Sequence, residues 1–260
     1  MPHYNVTGIV LRRMAYGETD NILTIYTREL GRVSAIAKGS RRATSRTAGA
    51  CEILTCARFN LASGKSLDVV TQTEIVNAFP ALRKDLARLA NGQYLAEILD
   101  KLVADGDPHA ELFILLRSAL LLLERSSDPA TAARWFELRI LGEVGFAPDL
   151  GCCVACGEAV PAAGNWPNEE YALSVKHGGA VCARHTSTTS SDDHAPLSPD
   201  ALDFLQHVDA HDIGNIRSVL KIDPPSARTA SLARNAMRRY IRWRIDSDLR
   251  SVAFLDSLTA

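Results

Sequence analysis

The chain has 260 residues, 47% of them hydrophobic, and carries 29 basic against 30 acidic side chains, for a net charge of −1. That length can bury a substantial core in one large domain or two smaller ones, and the composition is that of a soluble globular protein. The most apolar run, Leu112 to Leu123, is too short to span a bilayer and holds Arg117, and the first residues lack the basic and apolar segments of a secretory signal, so the expected location is the cytoplasm.

The first eighty residues read as β structure, with strands expected at Val6 to Arg13, Asn21 to Thr27, Arg32 to Lys38, Cys51 to Ala62 and Leu67 to Ala78. Turn residues fall between them, at Tyr16-Gly17-Glu18, Leu30-Gly31, Ser40 to Gly49 and Ser63-Gly64-Lys65. Five short strands in that length predict a small closed barrel of the OB type, although an SH3-like barrel would give a similar pattern. Cys51 and Cys56 fall on a predicted strand, as small buried apolar side chains.

After Pro80 the apolar period changes from 2 to 3.6, with Leu82, Leu86, Leu89, Leu95, Ile98, Leu99 and Leu102 on one helical stripe. A second helix is expected from about His109 to Arg125, and a third begins at Asp128-Pro129, an N-cap followed by a proline at the first helical position. The pattern stops at Gly145-Phe146-Ala147-Pro148. A weakly periodic insert then runs to about His194, with a loop over Thr186 to Asp193, and Ser198-Pro199 restarts the helical pattern. A last long helix is expected from about Ser226 to Arg250.

Charge is unevenly spread. Between Glu29 and Glu52 lie Arg32, Lys38, Arg41, Arg42 and Arg46 with no acidic residue. The stretch Lys38-Gly-Ser-Arg-Arg-Ala-Thr-Ser-Arg46 mixes guanidinium groups with glycine and hydroxyl residues, which lets backbone amides and arginine forks approach phosphates. This makes Lys38, Arg41, Arg42 and Arg46 the candidate nucleic-acid contacts, with Arg12 and Arg13 as extensions; the competing reading is a solvated surface loop. Tyr16, Tyr26 and Phe59 are candidate stacking faces, although Tyr26 and Phe59 sit where burial in the barrel competes. A second basic surface is the helix bearing Arg234, Arg238, Arg239 and Arg242, read first as a packing element, second as a site for an acidic apolar protein tail, and third as a DNA surface.

Inside the insert, Cys153-Val-Ala-Cys156-Gly157 and Cys182-Ala-Arg-His185 are two paired-ligand steps of the kind that closes a tetrahedral zinc site. The segment has too few apolar residues for a core of its own, so an ion would supply its folding energy. Ordinary thiols, a three-ligand site, or Cys152 in place of Cys153 remain open alternatives. The chain has no phosphate-binding glycine loop, dinucleotide fingerprint, zinc-protease helix or nucleophile elbow, and four ligands would leave no open metal position. A binding protein is therefore expected rather than an enzyme.

The N-terminal run Gly8-Ile-Val-Leu-Arg-Arg13, with Tyr16-Gly-Glu-Thr-Asp-Asn-Ile-Leu-Thr-Ile-Tyr-Thr-Arg-Glu-Leu-Gly-Arg-Val-Ser-Ala-Ile-Ala-Lys-Gly39, resembles the start of the bacterial RecO family of recombination mediators. Gly145-Phe-Ala-Pro-Asp-Leu150 followed by Cys153-x-x-Cys156-Gly157 resembles the junction of that family's helical domain with its zinc-finger-like insert; where many members end the second pair with Cys, this chain has His185. The resemblance implies an α+β protein: an OB-fold domain over 1–79, an all-α helical domain over 80–150 and 195–260, and a Cys/His insert over 151–194. It also implies binding of single- and double-stranded DNA, annealing of complementary strands and, with RecR, assistance to RecA loading on DNA coated by single-strand-binding protein, in the nucleoid-associated cytoplasm. The alternative is a zinc-ribbon scaffold that touches nucleic acid only incidentally.

Overall fold

The computed structural model describes residues 2–160, 171–186 and 193–258. In chain order the elements are strands β1 (His3–Tyr16), β2 (Asp20–Thr27), β3 (Gly31–Ala37), β4 (Cys56–Ala62) and β5 (Asp68–Asn77), then helices α1 (Pro80–Lys84), α2 (Leu86–Leu102), α3 (Ala110–Arg125) and α4 (Pro129–Glu143). There follow β6 (Tyr171–Ser174), β7 (Gly179–Val181), α5 (Ala183–Thr186), β8 (His194–Leu197), α6 (Pro199–Asp209), α7 (Ile216–Val219), α8 (Ala227–Ile245) and α9 (Arg250–Ser257). They form two compact units, 1–124 with 250–260, and 125–249. None of the described helices is long and apolar enough to cross a membrane.

In the first unit the five expected strands close a barrel in the order β1-β2-β3-β5-β4, with every pair antiparallel except β3 and β5. The 14-residue β1 serves two neighbours, pairing β4 through its first half and β2 through its second, and the irregularity between Val10 and Arg12 supplies the bend. Alternate side chains point inward, so Val6, Val10, Leu23, Ile25, Phe59 and Leu61 fill the interior. Gly8 pairs with Thr27 of β2, and a Cβ there would sit 2.4 Å from Ile25 Cγ2. The fourth strand starts later than expected: Gly49–Cys51 is a 3₁₀ turn, so Cys51 sits in a turn while Cys56 opens β4, and both are fully buried.

The single helical stripe expected after Pro80 is two helices. Asp85 adopts an extended backbone and its carboxylate accepts the Ala87 and Arg88 amides, ending α1 and capping α2. A carboxylate able to satisfy two orphan amides outweighs one more turn of continuous helix. Leu86, counted in the apolar stripe, is consequently exposed. The apolar face expected of α3 is observed, with Leu112, Leu115, Leu116, Ala119, Leu120 and Leu123 all buried. In α9, the Arg250 and Ser251 amides donate to the Glu97 carboxylate of α2 at 2.9 and 2.8 Å, so a neighbouring helix caps α9. The long helix expected to Arg250 ends instead at Ile245, because Asp246 turns left-handed at φ 53°.

Gly31 has φ 65°, and a Cβ there would lie 2.3 Å from the Asp107 carbonyl oxygen. Gly31→Ala is expected to cost at least about 1–2 kcal/mol from the left-handed backbone alone, with the contact at Asp107 adding to it. Denaturant melting checks this, and an unchanged midpoint would refute it.

In the second unit, Asp128 accepts the Ala130 and Thr131 amides and Pro129 opens α4, while Ser198 accepts the Ala201 amide ahead of Pro199 and α6, both as the sequence signals predict. The insert holds a three-stranded antiparallel sheet in the order β7-β6-β8, which the sequence did not announce. Its strands have only three or four residues, and every residue of β6 and β7 is buried, so no alternation of apolar and polar positions exists to be read. The loop expected over Thr186 to Asp193 falls largely on 187–192, outside the described residues.

Candidate functional site

The basic stretch is a loop leaving β3 and folded against the turn between β1 and β2. The Gly39 amide donates to Asp20 Oδ1 at 2.8 Å, the Arg41 amide to the Thr19 carbonyl at 2.9 Å, and the Arg41 guanidinium to the Gly17 carbonyl at 3.2 Å. Beneath them Asn21 Nδ2 donates to Ser40 Oγ at 2.8 Å, with both side chains buried. Gly39 takes φ 64°, which a residue with a side chain rarely adopts. The consequence is a loop whose backbone is fixed while Lys38, Arg41, Arg42 and Arg46 are exposed, and no ion pair engages those four among the described residues.

Asp20, which carried no signal in the sequence, organises this arrangement. Its carboxyl is held below the usual range by the Gly39 amide first, then by the Thr19 hydroxyl, with the Lys38 and Arg42 charges adding to the effect. A lowered folded pKa means that the contribution is present above the ordinary carboxylate pKa and is lost as pH falls through the folded value. Asp20→Asn is expected to speed amide exchange at Gly39, weaken oligonucleotide binding and lower the melting midpoint slightly at neutral pH, with the difference in melting vanishing in acid. Unchanged exchange at Gly39 would refute that role.

Two cations of the stretch and its extensions are committed elsewhere. Arg32 reaches Asp105 at 2.6 Å and Asp100 at 3.1 Å, and Arg13 pairs with Glu52. Arg12 is exposed, with Nη2 3.5 Å from Thr24 Oγ1. Tyr26 and Phe59 are fully buried, so neither offers a stacking face, whereas Tyr16 is 53% exposed. An open cavity of about 460 Å³ lies on another face of the barrel, where Asn5, Arg58, Asn60, Gln72, Glu29 and Glu74 line it. With two carboxylates to one guanidinium, that cavity does not suit a phosphate backbone.

The structure brings together Cys153, Cys156, Cys182 and His185, whose ligand atoms all lie within 4.8 Å of one another. His185 Nδ1 is 3.2 Å from Cys182 Sγ and 3.9 Å from Cys153 Sγ. Zinc–sulfur bonds of about 2.3 Å in a tetrahedron imply sulfur separations of about 3.8 Å, so the donor set and its spacing fit a metal of that kind. Gly157 takes φ 75° and its amide donates to the Cys153 carbonyl at 2.8 Å, closing the knuckle. Burial opposes ionisation of Cys153, but the amides of Cys182, Ala155 and Cys156 together bring its thiol down to about 6; burial and the neighbouring Cys153 push Cys182 up. Cys152 stands outside the cluster, its amide bonded to Asp149 Oδ1 at 3.1 Å.

On α8, Arg234, Arg238 and Arg239 are half-buried, while Arg242 is exposed and pairs with Asp248 at 2.9 Å. Arg244, not among the candidate residues, lies over the rings of Tyr240 and Phe146 at 4.8 and 5.3 Å and donates to the Tyr240 hydroxyl at 3.0 Å. Much of this face takes part in packing within the second unit.

Two family models match the chain, described as Recombination protein O N terminal over residues 1–79 and Recombination protein O C terminal over residues 83–253. The DNA repair protein RecO of Heliobacterium modesticaldum is 36% identical over 262 residues, covering 98% of this chain and 90% of that protein. Its counterparts in Symbiobacterium thermophilum and Pelotomaculum thermopropionicum are 35% and 34% identical, covering 99% and 98% of this chain and 98% and 94% of their own lengths.

Proposed function

The chain belongs to the RecO family, and we propose that it is a cytoplasmic, nucleoid-associated mediator of recombinational DNA repair that performs no bond chemistry. It binds single- and double-stranded DNA, anneals complementary strands and, with RecR, helps RecA load on DNA coated by single-strand-binding protein. One observation carries the DNA-binding reading: Lys38, Arg41, Arg42 and Arg46 are exposed on a loop whose backbone is tied to Asp20 and Thr19. Fixed cations neutralise phosphates without first having to order their own backbone, and the contact tolerates any sequence because phosphates carry none.

Annealing requires two like-charged backbones to approach, so a protein that lowers their repulsion accelerates it. The residues of α8 supply the reading's second basic surface, with Arg242 the most accessible of Arg234, Arg238, Arg239 and Arg242. Packing comes first for this helix, an acidic apolar tail such as that of single-strand-binding protein second, and DNA third. Zinc held by Cys153, Cys156, Cys182 and His185 would fix the fold of the insert, and four protein ligands leave no place for a substrate.

Annealing of complementary oligonucleotides, with and without single-strand-binding protein and across a salt series, tests the reading. Acceleration that fades with added salt is expected. Failure to shift an oligonucleotide in dilute buffer would sink it. The Cys/His cluster also favours a second reading, a protein-interaction scaffold, which predicts weak and salt-insensitive DNA binding.

A further inference from the structure

The second half of β1 carries two large side chains into water, Met14 at 57% and Tyr16 at 53% exposure. Residues two apart on a strand share a face, so Arg12, Met14 and Tyr16 stand in one row. The register sets Met14 opposite Ile22, which is opposite Ile36, and sets Arg12 opposite Thr24, which is opposite Ser34. The outer face of β1, β2 and β3 therefore carries an apolar row, Met14-Ile22-Ile36, and the exposed ring of Tyr16 stands beside Met14 in the next row, opposite Asp20. A scattered exposed apolar side chain needs no explanation. This pair differs because of its neighbour: the carbonyl of Gly17, the residue after Tyr16, holds the Arg41 guanidinium at 3.2 Å. The Arg41 guanidinium is thus anchored to the residue next to the exposed ring of Tyr16, which sets a phosphate partner beside a base partner.

We infer that Tyr16 and Met14 form a platform for unpaired nucleobases and give the protein a preference for single strands over duplex. This deepens the proposed DNA-binding function and rests on it. The bases of a single strand can turn outward onto a side-chain face, whereas in a duplex they are stacked inside and offer a reader only edges and backbone. The cations of the 38–46 loop bind both forms of DNA through phosphate; the platform acts only on unpaired bases.

The test compares an ordinary single-stranded oligonucleotide, an abasic strand of the same length and a duplex, using the full chain and its Tyr16→Ala, Tyr16→Phe and Met14→Ala variants. Tyr16→Ala is expected to weaken binding of the ordinary strand by about 5- to 150-fold, the range for loss of one base stack, while abasic and duplex affinities stay put and Tyr16→Phe retains binding. Met14→Ala shifts in the same direction by less. Both side chains are more than half exposed, so thermal melting should not move. Equal loss on all three ligands, or no loss on the ordinary strand, overturns the inference. Its failure is separable from that of the DNA-binding reading: a salt slope unaffected by removing the loop arginines sinks the loop site, whereas a normal slope change with Tyr16→Ala silent sinks only the platform.

Discussion

Replacing Arg41, Arg42 and Arg46 together by alanine is expected to flatten the log–log dependence of single-strand affinity on salt by about two units. Each phosphate neutralised on a single strand contributes about 0.7 to that slope, so four contacts give about −3 and the three removed account for about 2. At roughly 0.1 M salt the same arithmetic is a loss of affinity of about 100-fold. The three side chains are exposed, so the variant should melt within about 0.5 kcal/mol of the parent. Equilibrium titrations over a salt series decide the matter, and a slope left unchanged would move the site elsewhere. Arg32→Ala and Arg13→Ala make useful contrasts. Their charges are already compensated by Asp100, Asp105 and Glu52, so their removal should change stability more than slope.

On the zinc reading of the Cys/His cluster, chelation is expected to unfold the ligand-bearing segment while leaving the barrel intact. Structural zinc in small ligand knots provides on the order of 10–16 kcal/mol of apparent binding free energy, more than such a segment can replace by burial of its own side chains. Metal analysis with thiol titration should give one ion and three protected thiols per chain. Chelation, or Cys182→Ser, should free the remaining thiols and open residues 150–160 and 171–186 to protease. Oligonucleotide binding through residues 1–79 should persist. Cys152→Ser should keep the ion and Cys153→Ser should lose it; the reverse result would overturn the assignment drawn from the cluster geometry. The scaffold reading separates here too, since it places function in this segment and predicts that chelation abolishes partner binding while a weak DNA affinity is untouched.

The barrel was legible because its strands are long enough to alternate and are punctuated by glycine turns, as at Gly17, Gly31 and Gly64. The starts of α4 and α6 were legible because Asp128-Pro129 and Ser198-Pro199 act on amides two or three residues away. The helix break at Asp85 was not, because the apolar stripe runs through it and only the competition between capping and continuation decides the outcome. The sheet of β6, β7 and β8 escaped because short strands with buried residues throughout show no period. Asp20 escaped because nothing in Thr19-Asp20-Asn21 says that Gly39 will donate to it.

Side-chain chemistry along the chain by itself determined which groups exist to meet a phosphate or a metal: a run of arginines without acidic neighbours, and two spaced pairs of thiol and imidazole ligands. Tertiary structure decided which of them stay in water and which converge. Arg32 is neutralised by carboxylates 68 and 73 residues away, and Cys153 meets His185 across 32. Ion pairing, burial and coordination act over a few ångströms of space, and only the folded chain turns separations of that length into contact.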